Sequence, residues 1–313
     1  MTLLSIENLN AHFHTEDGAV RAVNGIDLNI EEGEKLGLIG ETGCGKTVLG
    51  LAILRLLSEN TKIEGKILYK GKNLLTMSDN EIRKIRGKEI AMIFQNPLSS
   101  MNPVLTVGTQ VAEPVELHQH LKKQDAMRRV IEMLKSVKIP LPQERVKEYP
   151  HEFSGGMRQR AMIAMGLICM PSLIIADEPT TGLDVTIQAQ IVELMKEVLR
   201  DSGTSMLLIT HDLAVASELC DNIAVMYPGE IVEYGSVRDL FKDPKHPYTR
   251  GFLNSLPSKG FKPITGTSPS LINLPKGCKF HPRCSLATDK CKIKRPELIK
   301  VGKKHYVRCF LYD

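Results

Sequence analysis

Residues 35–57 read KLGLIGETGCGKTVLGLAILRLL, and this stretch decides how the rest of the chain is interpreted. It contains a short apolar run, a glycine-rich turn and a longer apolar run with helical spacing, which predict a strand, a loop and a helix. The turn fits the pattern G-x-x-x-x-G-K-[ST] and consists of Gly40, Glu41, Thr42, Gly43, Cys44, Gly45, Lys46 and Thr47. A loop of this pattern between a strand and a helix predicts a phosphate-binding site in an α/β fold.

The residue types in this loop point to a nucleoside triphosphate such as ATP, bound with Mg²⁺. Glycines let backbone N–H groups turn inward on phosphate oxygens, and the following helix N-terminus adds positive potential. We expect Lys46 to neutralise the β- and γ-phosphate oxygens and Thr47 to ligate Mg²⁺. The alternative is a chance glycine-rich turn, which the flanking strand and helix argue against.

Composition places the chain among ordinary globular proteins without naming a partner. Its 313 residues are 42% hydrophobic and 25% charged, and the net charge of +5 comes from basic residues spread along the chain. A spread charge does not by itself predict binding to nucleic acid or to a membrane surface. No stretch reaches the ~18 apolar residues that span a bilayer, and the N-terminus lacks a secretory signal pattern, so we expect an intracellular protein.

Strand-like runs alternate with helical patterns over residues 35–234, which predicts a mostly parallel α/β sheet. These runs are KLGLIG, EIAMIF, SLIIAD, TSMLLIT and NIAVMY. Between residues 96 and 166 the strand signal fades and residues 124–137 show helical apolar spacing, so we predict a helical insertion there. After residue 242 the chain is punctuated by Pro244, Pro247, Pro257, Pro263, Pro269 and Pro275, which predicts a linker and tail.

Two acidic residues end one of the predicted strands. In LIIADE (residues 173–178), Asp177 suits the Mg²⁺ shell, and Glu178 suits the general base that polarises water for attack on the γ-phosphate. Acidic pairs at strand ends are common on protein surfaces. Their assignment to chemistry therefore depends on the other motifs.

The motif that makes the resemblance specific is FSGGMRQR, residues 153–160. Ser154, Gly155 and Gly156 resemble the signature motif of ATP-binding cassette (ABC) ATPases, in which this loop closes on the γ-phosphate held by a second subunit. A serine that caps an ordinary helix is the plainer interpretation, and we expect Ser154 to cap as well.

Further positions resemble the same family in the same order along the chain. Gln95 resembles the Q-loop glutamine, Asp184 the D-loop aspartate, and His211 the switch histidine. The resemblance implies that Gln95 senses Mg²⁺, water and the membrane partner, while His211 contacts the γ-phosphate. Phe13 is the candidate for stacking on adenine, with a core phenylalanine as the alternative.

The resemblance implies a fold and an activity. It implies a P-loop NTPase of ABC type, with a RecA-like core, an antiparallel β subdomain and a helical subdomain at about residues 96–166. This nucleotide-binding domain would cover residues 1–256, and residues 257–313 would form the linker and cysteine-containing tail. The implied activity is ATP hydrolysis by a head-to-tail pair of subunits.

The C-terminal region narrows the resemblance to one branch. DLFKDPKHPYTRGFLNSLPS (residues 239–258) and GCKFHPRCSLATDKC (residues 277–291) resemble the tails of ATPase subunits that serve dipeptide, oligopeptide and nickel importers. This implies a related second ATPase subunit, two transmembrane permeases and an external peptide-binding protein. It also implies a peripheral location at the cytoplasmic membrane face and no nucleic-acid partner.

Four cysteines crowd the C-terminal region: Cys278, Cys284, Cys291 and Cys309. Their C-x5-C-x6-C spacing differs from the C-x2-C pairs of small zinc modules and favours a [4Fe-4S] cluster, with zinc and free thiols as alternatives. His281 can replace one ligand, or it is a solvated loop residue. Because this region is remote in sequence from the phosphate loop, we expect a structural role for such a cluster.

Two rival functions share the nucleotide motifs. A soluble ABC-type ATPase acting on nucleic acid or ribosomes is disfavoured, because Gln95 and Ser154 are separated by a compact segment without the length of a coiled coil. A scaffold that binds nucleotide without turnover is disfavoured because Lys46, Glu178 and His211 are all present.

Overall fold

The computed structural model describes residues 1–256, 260 and 262–313, which form two compact units. The first unit comprises Met1–Glu31, Lys35–Thr76 and Ile209–Asp313, and the second comprises Glu32–Glu34 and Met77–Leu208. Pro257, the predicted start of the linker and cysteine-containing tail, lies outside the described residues.

The strands and helices are numbered along the chain. The strands are β1 (Thr2–Thr15), β2 (Gly18–Glu31), β3 (Lys35–Ile39), β4 (Thr61–Tyr69), β5 (Lys72–Asn73), β6 (Ile90–Ile93), β7 (Leu173–Asp177), β8 (Ser205–Thr210), β9 (Asn222–Tyr227), β10 (Glu230–Ser236), β11 (Ile299–Lys300) and β12 (Tyr306–Val307). The helices are α1 (Lys46–Ile53), α2 (Asp79–Ile85), α3 (Pro97–Ser100), α4 (Val107–Gln119), α5 (Lys123–Ser136), α6 (Pro142–Arg145), α7 (Gly155–Leu167), α8 (Val185–Ser202), α9 (Leu213–Leu219), α10 (Val237–Lys242), α11 (Pro247–Asn254) and α12 (Asp289–Ile293).

The first unit contains two sheets. One is antiparallel with the order β2-β1-β4-β5, and it is the antiparallel β subdomain that the resemblance implies. The other has the order β11-β12-β10-β9-β3, in which β3 runs parallel to β9 and β10 runs antiparallel to its neighbours. Strand β3 is almost wholly buried, which explains why its sequence is a continuous apolar run rather than an alternating one.

The second unit carries β6, β7 and most of the helices. Strands β6 and β7 pair in parallel, from Ile90 opposite Leu173 to Ile93 opposite Ala176. Helix α5 buries Ala126, Val130 and Leu134, which recur every four residues on one face. Each of the predicted strand-like runs is a strand in the structure, and the predicted helical spacing of residues 124–137 is confirmed by α5.

The proline-punctuated stretch after residue 242 is not all linker. Pro247 occupies the first turn of α11, where its missing N–H costs nothing, and His246 caps that helix by accepting a bond from the Tyr248 N–H. Farther along, β12 pairs with β10, so the C-terminal residues extend a sheet of the first unit. The prolines after residue 242 therefore include one that begins a helix, Pro247, as well as others that lie in loops.

No helix in the described part of the chain is long and apolar enough to cross a membrane.

Candidate functional site

The phosphate loop joins β3 to α1 in the first unit, and two of its glycines, Gly40 and Gly45, are required by close backbone contacts. A Cβ atom at Gly40 would lie 2.2 Å from the Met226 carbonyl oxygen, and one at Gly45 would lie 2.0 Å from the Ala22 carbonyl oxygen. Gly45 also has φ +107, in the left-handed region that side chains avoid. Any residue larger than glycine would therefore displace the loop.

The Lys46 ammonium is held inside the loop. Its side chain is buried, and Nζ donates to the carbonyl oxygens of Gly40 at 2.8 Å and Glu41 at 3.1 Å. The Gly229 N–H donates to the Cys44 carbonyl at 2.9 Å, which fixes the middle of the loop. A cation ringed by a fixed backbone is suited to attract phosphate oxygens without reorganising.

Cys44 is a buried thiol. Burial raises the pKa of Cys44 against the opposing effect of Lys46, so the thiol stays protonated at neutral pH. It packs as a small apolar side chain, and a Cβ atom at Gly40 would lie 3.0 Å from its sulfur.

The outer side of the loop is held by two residues that the sequence analysis did not single out. Arg283 Nη1 forms an ion pair with the Glu41 carboxylate at 2.9 Å, and the Glu41 N–H donates to the Tyr248 hydroxyl at 3.0 Å. Tyr248 lies in the HPYT motif and Arg283 in the HPRC motif, both in the C-terminal region. The spacing of these motifs in the sequence did not indicate that they contact the phosphate loop.

Two further candidates belong to the first unit. His211 is exposed and follows β8 directly, ahead of Asp212, which caps α9. Phe13 is half-buried on β1, opposite Val20 on one side and Thr61 on the other. Its strand pairing is that of an ordinary sheet residue, and its half-buried side chain is partly open to solvent.

Asp177 and Glu178 lie in the second unit, at the carboxyl end of β7. Both are buried, and Glu178 has φ +49, an unfavourable backbone conformation for a residue with a side chain. The Thr181 hydroxyl donates to Glu178 Oε2 at 3.0 Å. Strained backbone held by its surroundings is a common feature of functional positions, and Thr181 aims the carboxylate. Sequence analysis missed Thr181, because its role depends on the turn that follows β7.

The serine–glycine motif and the predicted D-loop aspartate each start a helix of the second unit. Ser154 caps α7 by accepting from the Met157 N–H, which confirms its expected capping role. Asp184 caps α8 by accepting from the Ile187 N–H at 2.9 Å. A Cβ atom at Gly156 would lie 2.9 Å from Ile187 Cγ2, so a side chain there would have to displace that of Ile187 where these helices meet.

One open groove of the second unit, about 460 Å³ in volume, collects several of the predicted motifs. Gln95, which is exposed after β6, lines it together with Gly155. Thr181 and Leu183, between the β7 acids and Asp184, line it as well. Residues far apart in sequence thus meet along one groove of the second unit.

All four C-terminal cysteines line a single cavity of about 120 Å³ in the first unit. Burial raises the pKa of Cys278 to about 11, with the other three cysteines adding to the shift, and burial also raises the pKa values of Cys284 and Cys309. No disulfide joins any of these four cysteines. His281 also lines the cavity, and its Nδ1 lies 2.9 Å from the Cys278 carbonyl oxygen.

The expected metal site is not confirmed. Within residues 1–256, 260 and 262–313, no group of three or more His, Cys, Asp or Glu side chains has the arrangement of a metal centre. The clustering in sequence correctly indicated a shared neighbourhood, but it does not fix the distances between sulfur atoms. The donor set, four thiols around one small cavity, is nevertheless chemically suited to an iron–sulfur cluster.

Comparisons with known proteins agree with this geometry. A family model described as "ABC transporter" matches residues 23–181, and one described as "Oligopeptide/dipeptide transporter, C-terminal region" matches residues 232–291. The chain is 47% identical over 319 residues to the "Oligopeptide transport ATP-binding protein AppD" of Bacillus subtilis (strain 168), covering 100% of this chain and 97% of that protein. It is 47% identical over 318 residues to the "Dipeptide transport ATP-binding protein DppD" of the same organism, covering 99% and 95% respectively.

Among solved structures, "Dimeric Structure of MJ0796, a Bacterial ABC Transporter Cassette" aligns with a TM-score of 0.68 and 26% identity. The alignment covers 75% of this chain and 99% of that one.

Proposed function

Because this chain belongs to the ABC transporter family, as an ATP-binding subunit with ATPase activity, we propose that it powers the uptake of dipeptides or oligopeptides through a membrane importer. The observation that carries this proposal is the pairing of an intact phosphate loop with the C-terminal region of the oligopeptide and dipeptide branch in one chain. The relatives named above match this chain over nearly their full lengths.

In the proposed reaction, the chain's own residues position ATP, water and Mg²⁺. Lys46 and the loop N–H groups bind the phosphates, while Thr47, Asp177 and Gln95 hold the metal. The remaining loop positions, Gly40, Glu41, Thr42, Gly43, Cys44 and Gly45, supply the backbone around the phosphates. When bound, Mg²⁺ neutralises charge on the phosphate oxygens.

Glu178 accepts the proton of the attacking water, and His211 holds the γ-phosphate for in-line attack. The bond between Glu178 and the Thr181 hydroxyl keeps the carboxylate aimed before water arrives. Phe13 stacks on the adenine ring.

The proposed working unit contains two ATPase subunits arranged head to tail, this chain and a related partner. Ser154, Gly155, Gly156 and Asp184 act on the nucleotide held by that partner, which explains a serine–glycine motif placed at a helix N-terminus. Two permeases and an external peptide-binding protein complete the importer at the cytoplasmic face of the membrane. A nickel importer is the alternative within this branch.

We propose that the nucleotide-binding domain spans residues 1–256, with its helical subdomain at about 96–166, and that residues 257–313 form a C-terminal appendage. In that appendage Cys278, Cys284, Cys291 and Cys309 hold a [4Fe-4S] cluster, with zinc as the alternative. Their shared cavity supports the proposal. When bound, the cluster cross-links loops that have little apolar core of their own.

Anaerobic purification followed by absorption spectroscopy and metal analysis tests the cluster. A broad visible shoulder that reduction bleaches, together with iron and sulfide, is expected, and Cys284→Ser should remove it while Cys220→Ser should not. Stoichiometric zinc, or no metal in protein that was never exposed to oxygen, would refute the cluster.

Replacing the proposed base tests the catalytic assignment. Glu178→Gln should lower ATP hydrolysis by the reconstituted importer about 10²- to 10⁴-fold while ATP binding persists, because only proton transfer is lost. Glu193→Gln, at an exposed position of α8, is the matched control and should hydrolyse normally. Normal turnover by Glu178→Gln would show that another group is the base.

Transport itself is tested by uptake of labelled dipeptides, oligopeptides and nickel in cells with and without this subunit. Loss of peptide uptake alone is expected. The rival ATPase acting on nucleic acid or ribosomes predicts normal uptake and co-purification with those partners instead of with permeases.

A further inference from the structure

The phosphate loop is held from outside by the C-terminal region, at one residue. Glu41 lies 242 positions from Arg283 in sequence, yet its carboxylate meets the Arg283 guanidinium at 2.9 Å. The Arg283 side chain is 7% exposed and that of Glu41 is 24% exposed, so this pair is largely withdrawn from water. Ion pairs shielded in this way are screened less by salt and constrain geometry more than surface pairs do.

Arg283 is itself fixed by other bonds. Its Nε donates to the Thr265 carbonyl at 3.0 Å, and its Nη1 also lies 3.3 Å from the Tyr227 hydroxyl. The guanidinium therefore joins the C-terminal loops, strand β9 and the phosphate loop. A planar fork with several donors is suited to hold three acceptors in a fixed arrangement, which a lysine ammonium does less well.

Tyr248 holds the backbone of the same loop residue. Its ring is fully buried, and its hydroxyl accepts the Glu41 N–H at 3.0 Å. On the inner side of the loop, the Glu41 carbonyl accepts from Lys46 Nζ at 3.1 Å. Glu41 is thus bonded through its side chain, its N–H and its carbonyl, and the last of these bonds reaches the cation that meets phosphate.

The cysteine-lined cavity adjoins both Arg283 and Tyr248. Arg283 precedes Cys284 in the chain, and Phe280, which also lines the cavity, packs against Tyr248 with ring centroids 5.5 Å apart. The same Phe280 ring contacts Tyr227 edge-on at 5.2 Å. A change in the packing of this cavity would therefore reach both residues that hold Glu41.

We propose that Arg283 and Tyr248 are positioning residues of the phosphate loop, through which the cysteine-lined cavity and the nucleotide site influence each other. They touch no substrate. They fix Glu41, and Glu41 fixes the place of the Lys46 ammonium. The proposal needs only ATP binding and does not depend on which cargo the importer carries.

The test measures MgATP affinity and unfolding stability of the full-length chain side by side. Arg283→Gln should weaken MgATP binding roughly fivefold to twentyfold, and Glu41→Gln by a similar factor, since each removes the same pair. The double variant should be little weaker than either single variant, because coupled residues are not additive. Arg283→Lys should recover part of the affinity.

Arg250→Gln is the matched control. Arg250 is exposed, lies in the same C-terminal region and bonds Tyr312 and the Pro244 carbonyl, away from the phosphate loop. Its replacement should leave MgATP affinity unchanged within about twofold. Tyr248→Phe keeps the aromatic packing but removes the acceptor of the Glu41 N–H, and it should weaken MgATP binding without loss of the fold.

The coupling between the nucleotide site and the cavity must act in both directions, which gives a second measurement. A contact with a purely structural role would not change its result. If the two sites are coupled, bound MgATP must change the equilibrium population of the state in which the cavity thiols are open to solvent, by thermodynamic linkage. Labelling that is slow relative to this opening reports that population. We expect maleimide labelling of Cys278, Cys284, Cys291 and Cys309, mapped by peptide mass in the full-length chain after a chelator has removed any bound metal, to slow several-fold with MgATP in the parent chain and not in Arg283→Gln.

Two results would overturn the proposal. The first is that the folded Arg283→Gln and Tyr248→Phe variants bind MgATP as tightly as the parent chain, even if their unfolding midpoints fall. That result would show that Arg283 and Tyr248 have only a structural role. The other is additive losses in the double variant together with nucleotide-independent labelling, which would show that the pair does not transmit between the sites. Failure of peptide transport would leave both measurements unaffected.

Discussion

Replacing Gly40 with alanine should disable the phosphate loop through a steric clash alone. The added Cβ would lie 2.2 Å from the Met226 carbonyl oxygen, whereas real Cβ contacts are essentially never below 3.0 Å. The loop or strand β9 must therefore move by nearly 1 Å, and the clashing atom is backbone, which cannot rotate away. Because Lys46 Nζ is bonded to the Gly40 carbonyl, this movement displaces the ammonium as well.

A misplacement of about 1 Å at a reacting group costs on the order of 10²-fold in rate. We therefore expect Gly40→Ala to lower ATP hydrolysis about 100-fold and to weaken MgATP binding. Hydrolysis is measured by phosphate release from the reconstituted importer, and binding is measured by titration of the purified chain. Stability is followed by chemical denaturation so that a folding defect is seen separately.

Gly71→Ala is the control for a general effect of losing a glycine. Gly71 has φ +78 and open space where a Cβ would lie, and it sits in the turn between β4 and β5. Its replacement should cost about 1–2 kcal/mol of stability from backbone strain and leave MgATP affinity unchanged. If folded Gly40→Ala bound and hydrolysed MgATP like the parent, the close packing of loop on strand would not be what positions Lys46.

Two further predictions concern single contacts. Thr181→Val removes the donor that aims Glu178, so it should lower kcat for ATP about 3- to 10-fold with little change in KM. Thr181→Ser keeps a hydroxyl and should restore most of the rate. Equal rates in the parent chain and both variants would show that Thr181 has no part in the mechanism. Burial lowers the pKa of His246 from 6.5 to about 4, so the unfolded chain binds this proton more readily and stability must fall as pH drops through that window. Because of this residue, the free energy of unfolding should be about 2 kcal/mol lower at about pH 5 than at about pH 7.5. His246→Asn, which keeps a capping acceptor, should remove that difference. A pH profile that His246→Asn leaves unchanged would refute the assignment.

The parts of the site that could be predicted from sequence are those that local patterns determine. The loop glycines, the strand before them and the helix after them follow from residue types within a short window, and so does the capping by Ser154. The acids Asp177 and Glu178 could be placed at a strand end, because an apolar run ending in polar residues is itself a local signal. Their burial and the left-handed backbone of Glu178 could not, because these depend on the turn that follows.

The parts that sequence could not give are contacts between distant segments. The HPYT and HPRC words resembled those of a known branch, but no periodicity or spacing indicates that Tyr248 and Arg283 converge on Glu41. Remoteness in sequence therefore led to the expectation of a purely structural tail. In the folded chain the cysteine cavity and the phosphate loop belong to one unit, and a chain of direct contacts joins them.

This arrangement divides the task of holding phosphate between two sets of residues. The glycines let the backbone approach so closely that a carbonyl of β9 and one of β2 leave no room for a side chain at Gly40 or Gly45. Such a loop has few side chains with which to fix itself. Glu41 supplies one such side chain, which bonds Arg283, and Tyr248 bonds the Glu41 N–H. Both partners lie more than two hundred residues away in the sequence. The rigidity that the chemistry requires is thus supplied from outside the motif, which is why the motif alone predicts the ligand but not what controls its affinity.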